Sequence, residues 1–138
     1  MKALIDTNVI MDVIMVREPH YRASSDILEL CGKRIKGIMT VNQTSDICYL
    51  LRREKQSIAT VKTVLRKLFA NLKLIDATVG DAKNALSSGM SDYEDALLAY
   101  AAKRQKADYI VTRNEKDFAG SPVEAVSPAA FLEKLYAL

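Results

Sequence analysis

The sequence predicts an α/β fold built on a mostly parallel sheet of four to five strands. Three observations carry that expectation. Short apolar runs alternate with longer stretches of helical periodicity. Those runs read as strands buried on both faces, joined by helical crossovers, which means parallel pairing. The composition, 49% hydrophobic and 27% charged over 138 residues, suits one domain with a full core. No Gly/Ser/Pro-rich stretch, repeat or low-complexity segment divides the chain, so residues 1–138 read as a single domain.

The elements follow in order. Lys2–Ile5 is a short apolar run stopped by Asp6, a buried strand. Val9–Val16 continues as a short helix, which Glu18-Pro19 interrupts. Tyr21–Cys31 is a second helix, with Ala23, Ile27, Leu28 and Leu30 on its apolar face and Gly32 as its C-terminal cap. Lys36–Thr40 is the second strand. Asn42–Glu54 is a helix, since Ile47, Leu50 and Leu51 recur at i, i+3 and i+4. Ser57–Leu72 is another, striped by Val61, Val64, Leu65 and Leu68. Lys73–Asp76 is a third strand and Val79–Leu86 a short helix. Ser91–Lys106 is the best-defined helix, with Ser91 and Glu94 spaced as a capping box. Asp108–Thr112 is the fourth strand, Arg113–Pro122 a polar loop, and Val123–Val126 a short edge strand. Ser127-Pro128 opens the last helix, whose core face is Phe131, Leu132 and Leu135.

Bulk properties exclude some classes. Net charge is +3 (20 basic, 17 acidic), compatible with a polyanion partner without requiring one. Two cysteines, Cys31 and Cys48, make no disulfide framework and read as reduced, mostly buried thiols. Asp6 ends the first apolar run, which therefore does not read as a signal peptide, and no stretch is long enough to span a membrane. The expected location is the cytoplasm.

The acidic residues fall at strand exits, where α/β folds bind ligands. Asp6 follows the first strand. It is equally well explained as the cap of the next helix. Asp46 lies in the helix after the second strand, where simple acid preference near a helix start competes as an explanation. Asp92 and Asp95 are neighbours at i, i+3. Asp95 shares a face with Leu98, Ala99 and Ala102, so it points inward, where like charge is unfavourable without a cation. Thr112, Asn114 and Asp117 follow the fourth strand and are also common turn residues. Together these hard oxygen donors suit Mg²⁺ or Mn²⁺.

With Leu4-Ile5-Asp6-Thr7-Asn8 at the start, Asp95-Ala96 with Ala99 and Ala102 in the late helix, and Ile110-Val111-Thr112-Arg113-Asn114 with Asp117-Phe118 near the end, the sequence resembles the PIN-domain nuclease family. Within it, the likeness is to VapC-type toxin ribonucleases, and it runs over nearly the whole chain. The resemblance implies a three-layer α/β/α sandwich and hydrolysis of RNA phosphodiesters dependent on Mg²⁺ or Mn²⁺. Its implied partners are RNA, a cognate antitoxin and a second copy of the chain.

Carried over by position, Asp6, Asp46 and Asp95 are the catalytic carboxylates, Asp46 standing where the family usually has Glu. The metal ligands would be the same three with Asp92 and Asp117. Asn114 falls where many members have a fourth Asp. Thr7, Asn8, Thr112 and Asn114 would hydrogen-bond around the ligands. Arg52, Arg53 and Arg113 would hold nucleic acid, and Tyr49 and Tyr93 would either stack on bases or pack in the core. His20, the lone histidine, reads as a loop or helix-start residue.

Two alternatives remain open. A haloacid-dehalogenase-like phosphatase also begins with a strand ending in Asp, but needs a second Asp two residues on, where this chain has Asn8. A catalytically degenerate PIN domain would bind RNA or protein without cutting.

Overall fold

Each short apolar run becomes a strand, and after β1, β2, β3 and β5 a polar side chain caps the helix that follows. The computed structural model describes all 138 residues. In order they form β1 (Lys2–Ile5), α1 (Thr7–Ile14), α2 (Tyr21–Leu30), β2 (Lys36–Thr40), α3 (Val41–Arg53), α4 (Ile58–Asn71), β3 (Lys73–Ile75), α5 (Val79–Ser87), α6 (Tyr93–Arg104), β4 (Tyr109–Val111), a 3₁₀ turn (Glu115–Phe118), β5 (Ala125–Val126) and α7 (Pro128–Tyr136). The expected α/β sandwich with a parallel sheet is what forms. No helix is long and apolar enough to cross a membrane.

The five strands pair in parallel in the order β3-β2-β1-β4-β5. Leu4 aligns with Ile38 on one side and Ile110 on the other. These three share one face of the sheet and pack with Ala99, Ala101 and Ala102 of α6. Ala3, Ile5, Met39 and Val111 point the other way, into a larger cluster with Val9, Ile27, Ile47, Leu68 and Phe131 from α1, α2, α3, α4 and α7. This alternation makes three layers. Alanines on α6 let that helix lie close to the sheet. The chain runs outward from β1 to β3, then crosses back to β4 on the other side of β1. The reversal opens a crevice at the carboxyl ends of β1 and β4, the usual ligand position in such sheets.

Caps explain where the boundaries differ from expectation. Helix α1 starts at Thr7, not Val9, because Asp6 itself is the N-cap and accepts from Thr7 N. Helix α6 starts at Tyr93. The anticipated Ser91–Glu94 capping box is absent, and Asp92 Oδ1 instead accepts from Asp95 N at 2.9 Å. The box signature succeeds elsewhere: Thr40 with Gln43 caps α3, and Thr78 with Asp81 caps α5. Asp81 also pairs with Arg104 Nε at 3.1 Å, which ties α5 to α6. Gly32 follows α2 at φ +81°, the left-handed conformation expected of a C-terminal cap. Cys31 and Cys48 are both free. Burial pushes the Cys31 thiol up to about 12, so it stays protonated.

Gly37 in β2 has no room for a side chain. A Cβ there would stand 2.5 Å from Cys31 Sγ and 2.6 Å from Leu72 Cδ2. Both neighbours are buried, so neither can swing out to solvent. Gly37→Ala is therefore expected to destabilise the fold by ~1–3 kcal/mol, the usual range for overpacking, read as a lower urea midpoint with unchanged m.

Candidate active site

Asp6 is set in place first. It is the residue at which β1 stops, and it is only 8% exposed. Its Oδ1 accepts from Thr7 N at 2.7 Å, and its Oδ2 from Thr112 Oγ1 at 2.8 Å. The cap explanation of this residue holds: it caps α1, and it also lines a cleft. Thr112 stands at the end of the neighbouring strand β4. Its hydroxyl also accepts from Asn114 N at 3.0 Å and Asn8 Nδ2 at 3.3 Å. Asn8 Oδ1 in turn accepts from Arg113 N at 3.3 Å. Gln43 closes the other side: its Nε2 donates to Ile5 O at 2.7 Å and Thr7 Oγ1 at 3.3 Å.

Asp6, Thr7, Asp46 and Asp95 line one cleft of about 550 Å³, with Asn42, Ser45, Tyr49, Leu50, Glu94, Leu97 and Leu98. The exits of β1 and β2 thus deliver Asp6 and Asp46, whereas Asp95, also expected beyond a strand, comes from the first turn of α6, which follows α5. Asp46 lies in the second turn of α3. Acid preference at a helix N-terminus fades within the first turn, so it does not explain this residue. Asp117, on the 3₁₀ turn, lines a neighbouring polar depression with Arg113 and Asn114.

The electrostatics couple Asp6, Asp95 and Asp117, while Asp46 responds to burial alone. Burial raises the Asp6 carboxyl; the Thr112 and Thr7 hydrogen bonds oppose that rise, as does Arg113, while Asp117 adds to it. Partial burial raises Asp46. Asp95 is pushed up to about 7, first by burial and then by the charges of Asp6, Asp92, Asp117 and Glu94. Carboxylates that repel one another in a partly buried cleft are relieved by a cation. No three acidic, Cys or His side chains converge closely enough to enclose an ion by themselves. All the donors are hard oxygens, which suits Mg²⁺ or Mn²⁺.

Residues 2–116 match the family model described as PIN domain. The chain belongs to the PIN-domain family. Its fold is shared with a toxin–antitoxin complex from Klebsiella pneumoniae (22% identity, TM-score 0.68, covering 91% of this chain and 97% of that one). It is shared too with VapBC2 from Rickettsia felis bound to a DNA fragment from the promoter (19%, TM-score 0.70, 92% and 98%). A third similar structure is VapBC-1 from nontypeable Haemophilus influenzae (13%, TM-score 0.69, 94% and 99%). A comparison with curated proteins gives no significant match.

Some expected site residues of this PIN domain have other primary roles. Asp92 is the N-cap of α6, which uses one of its oxygens. Arg113 is not a free phosphate-binding arm, because its Nε donates to Asp12 Oδ2 at 2.5 Å. Asn114 meets Thr112 through its backbone amide. Arg52 Nη1 donates to Gln56 O at 3.1 Å at the end of α3, and Arg53 lies over the Tyr49 ring. Core packing of Tyr49 and Tyr93 is overturned: they are 66% and 48% exposed. His20 is exposed at the start of α2, as expected.

Three residues escaped the sequence reading. Glu94, assigned only a capping role, lines the cleft. Gln43 was legible as the fourth residue of a Thr-x-x-Gln box. Asp12 is fully buried in α1 between Met11 and Val13. It pairs with Arg113 and lies 4.0 Å from Arg17 Nη1. An acid inside an apolar helical run was the available signal, since such a group needs a cationic partner.

Two outcomes follow from this geometry. Removing Arg113 leaves the buried Asp12 with only the longer Arg17 contact, so Arg113→Met is expected to cost about 3 kcal/mol in urea unfolding, while the double variant Asp12→Leu/Arg113→Met costs markedly less. The second concerns pH. The ordinary Asp value of 3.8 applies to the unfolded chain, and the folded value of Asp95 is about 7. The folded state therefore holds the extra proton. Its stabilising effect is complete below the unfolded value and is lost as pH rises through about 7. Without divalent metal, the urea midpoint should be higher at about pH 5 than at about pH 8, and Asp95→Asn should flatten that slope.

Proposed function

We propose that this PIN domain is a divalent-metal-dependent ribonuclease that hydrolyses RNA phosphodiester bonds and acts as the toxin of a toxin–antitoxin pair. The observation that carries this reading is the cleft at the sheet's reversal point, lined by Asp6, Asp46 and Asp95 in a chain that matches the PIN-domain model over residues 2–116. When bound, Mg²⁺ or Mn²⁺ supplies water activation and neutralises charge on the phosphoryl group. Asp6, Asp46 and Asp95 would hold it, with Asp117 on the open side. Thr112 and Thr7 fix the Asp6 carboxylate through its two oxygens. Asn8 and Asn114 fix Thr112. Oriented carboxylates of this kind lose little freedom on taking up a cation. The likeness to a toxin–antitoxin complex supports an antitoxin partner for this chain too.

Asn114 in place of an acid, together with the open spacing of the carboxylates, favours one second reading: a PIN domain that binds RNA without cutting it. The phosphatase alternative is set aside. Asn8 has its amide engaged by Thr112 and Arg113, and the chain belongs to the PIN family.

Purified protein is expected to cleave RNA with Mn²⁺ and to stop on chelation. Asp6→Asn and Asp95→Asn should each lower cleavage to background, with circular dichroism unchanged. Wild-type rates in both variants would remove these carboxylates from the mechanism. Intact RNA binding with no cleavage under any divalent metal would select the binding-only reading.

A further inference from the structure

One feature of the cleft has no use in holding a cation. Tyr49 lines it, yet the ring is 66% exposed. Tyr49 stands at i+3 from Asp46 on α3, so the two side chains are neighbours. The Arg53 guanidinium carbon lies over one side of the ring, 6.0 Å from its centroid. Most of the side chain is open to solvent. Leu50 of α3 and Leu97 and Leu98 of α6, all part-buried, line the same cleft. Carboxylates alone would repel a polyanion, and they need neither an aromatic ring nor three leucines beside them.

We propose that Tyr49, with Leu50, Leu97 and Leu98, forms a nucleobase subsite that stacks one unpaired base of an RNA strand beside Asp46 and Asp95. The proposal rests on the ribonuclease reading and deepens it. A base is flat and apolar on its faces and carries no charge, so it gains from the ring and leucines what a phosphate cannot. Every base has a π face, so such a subsite tolerates many sequences. Arg53 steadies the ring from behind by a cation–π contact and leaves its outward donors near the backbone of the same strand. A base inside a duplex already has both faces covered. The subsite therefore selects unpaired strands, and it does so by stacking rather than by charge.

The chain contains no tryptophan, so Tyr49→Trp introduces a single fluorescent reporter. It is titrated with oligouridylate of about eight nucleotides, with Ca²⁺ replacing Mn²⁺ to hold back cleavage. The same-length abasic strand and a matched RNA duplex serve as controls. The expected result is quenching by the single strand and by neither control. Tyr49→Ala should weaken the affinity for oligouridylate roughly tenfold or more, with Tyr49→Phe restoring it and the abasic strand indifferent to all three. Equal affinity of Tyr49→Ala and the parent, in a protein that still cuts RNA, overturns the subsite and leaves the ribonuclease reading standing. A parent that neither binds nor cuts any RNA overturns both. Emission that changes with protein concentration, and not with oligonucleotide, makes Tyr49 part of an interface between copies and also overturns the subsite.

Discussion

A carboxylate drawn out of water must find hydrogen-bond donors or a cation, and that requirement falls on Asp6. The hydrogen bond from Thr112 across the ends of β1 and β4 meets half of it. The rest of the site is arranged about that bond. Thr112 is shared among Asp6, Asn8 and Asn114, so the exits of two strands and the start of α1 are locked in one orientation. Gln43 adds the exit of β2 by donating to Ile5 O, the carbonyl just before Asp6. An exposed carboxylate would not need such an apparatus, and a carboxylate buried deeper would lose its access to the cleft.

The same economy governs the charges. Asp12 and Asp95 are both acids in helices, yet they stand in opposite circumstances. Asp12 is compensated inside the fold by Arg113, so it contributes to holding α1 against the loop after β4. Asp95 has no cationic side chain beside it and four acids acting on it. One charge is spent on architecture and the other is left over for a ligand. This difference, more than the number of acids, separates the cleft from the other acidic surface of the molecule.

The fold was legible because buried parallel strands write themselves as short apolar runs, and their alternation with helical periodicity leaves few arrangements. Two acids of the cleft were legible for a related reason, Asp6 at the end of β1 and Asp46 in the helix after β2, whereas Asp95 follows α5 and was legible from its place on the small-residue face of α6. The Asp12–Arg113 pair was not, because periodicity shows which helical face is apolar but not which polar residue on it has a partner 101 residues away. The start of α6 was missed by a smaller margin. Ser91 and Asp92 are both good caps, and the choice between them turns Glu94 from a capping side chain into one that faces the cleft. The exposure of Tyr49 was likewise undetermined, since its place beside Ile47 and Leu50 admits either orientation.

The Asp6–Thr112 bond joins residues 106 apart, and β1 lies between β2 and β4 in the finished sheet. Synthesis delivers these parts in a fixed order. A growing chain that has passed Asp46 and Asp95 but not yet reached β4 carries three acids with no strand to hold the first of them. The cleft therefore comes into being only after β4 has been made. Its assembly is tied to completion of the sheet, and a fragment released early would carry the acids without the site.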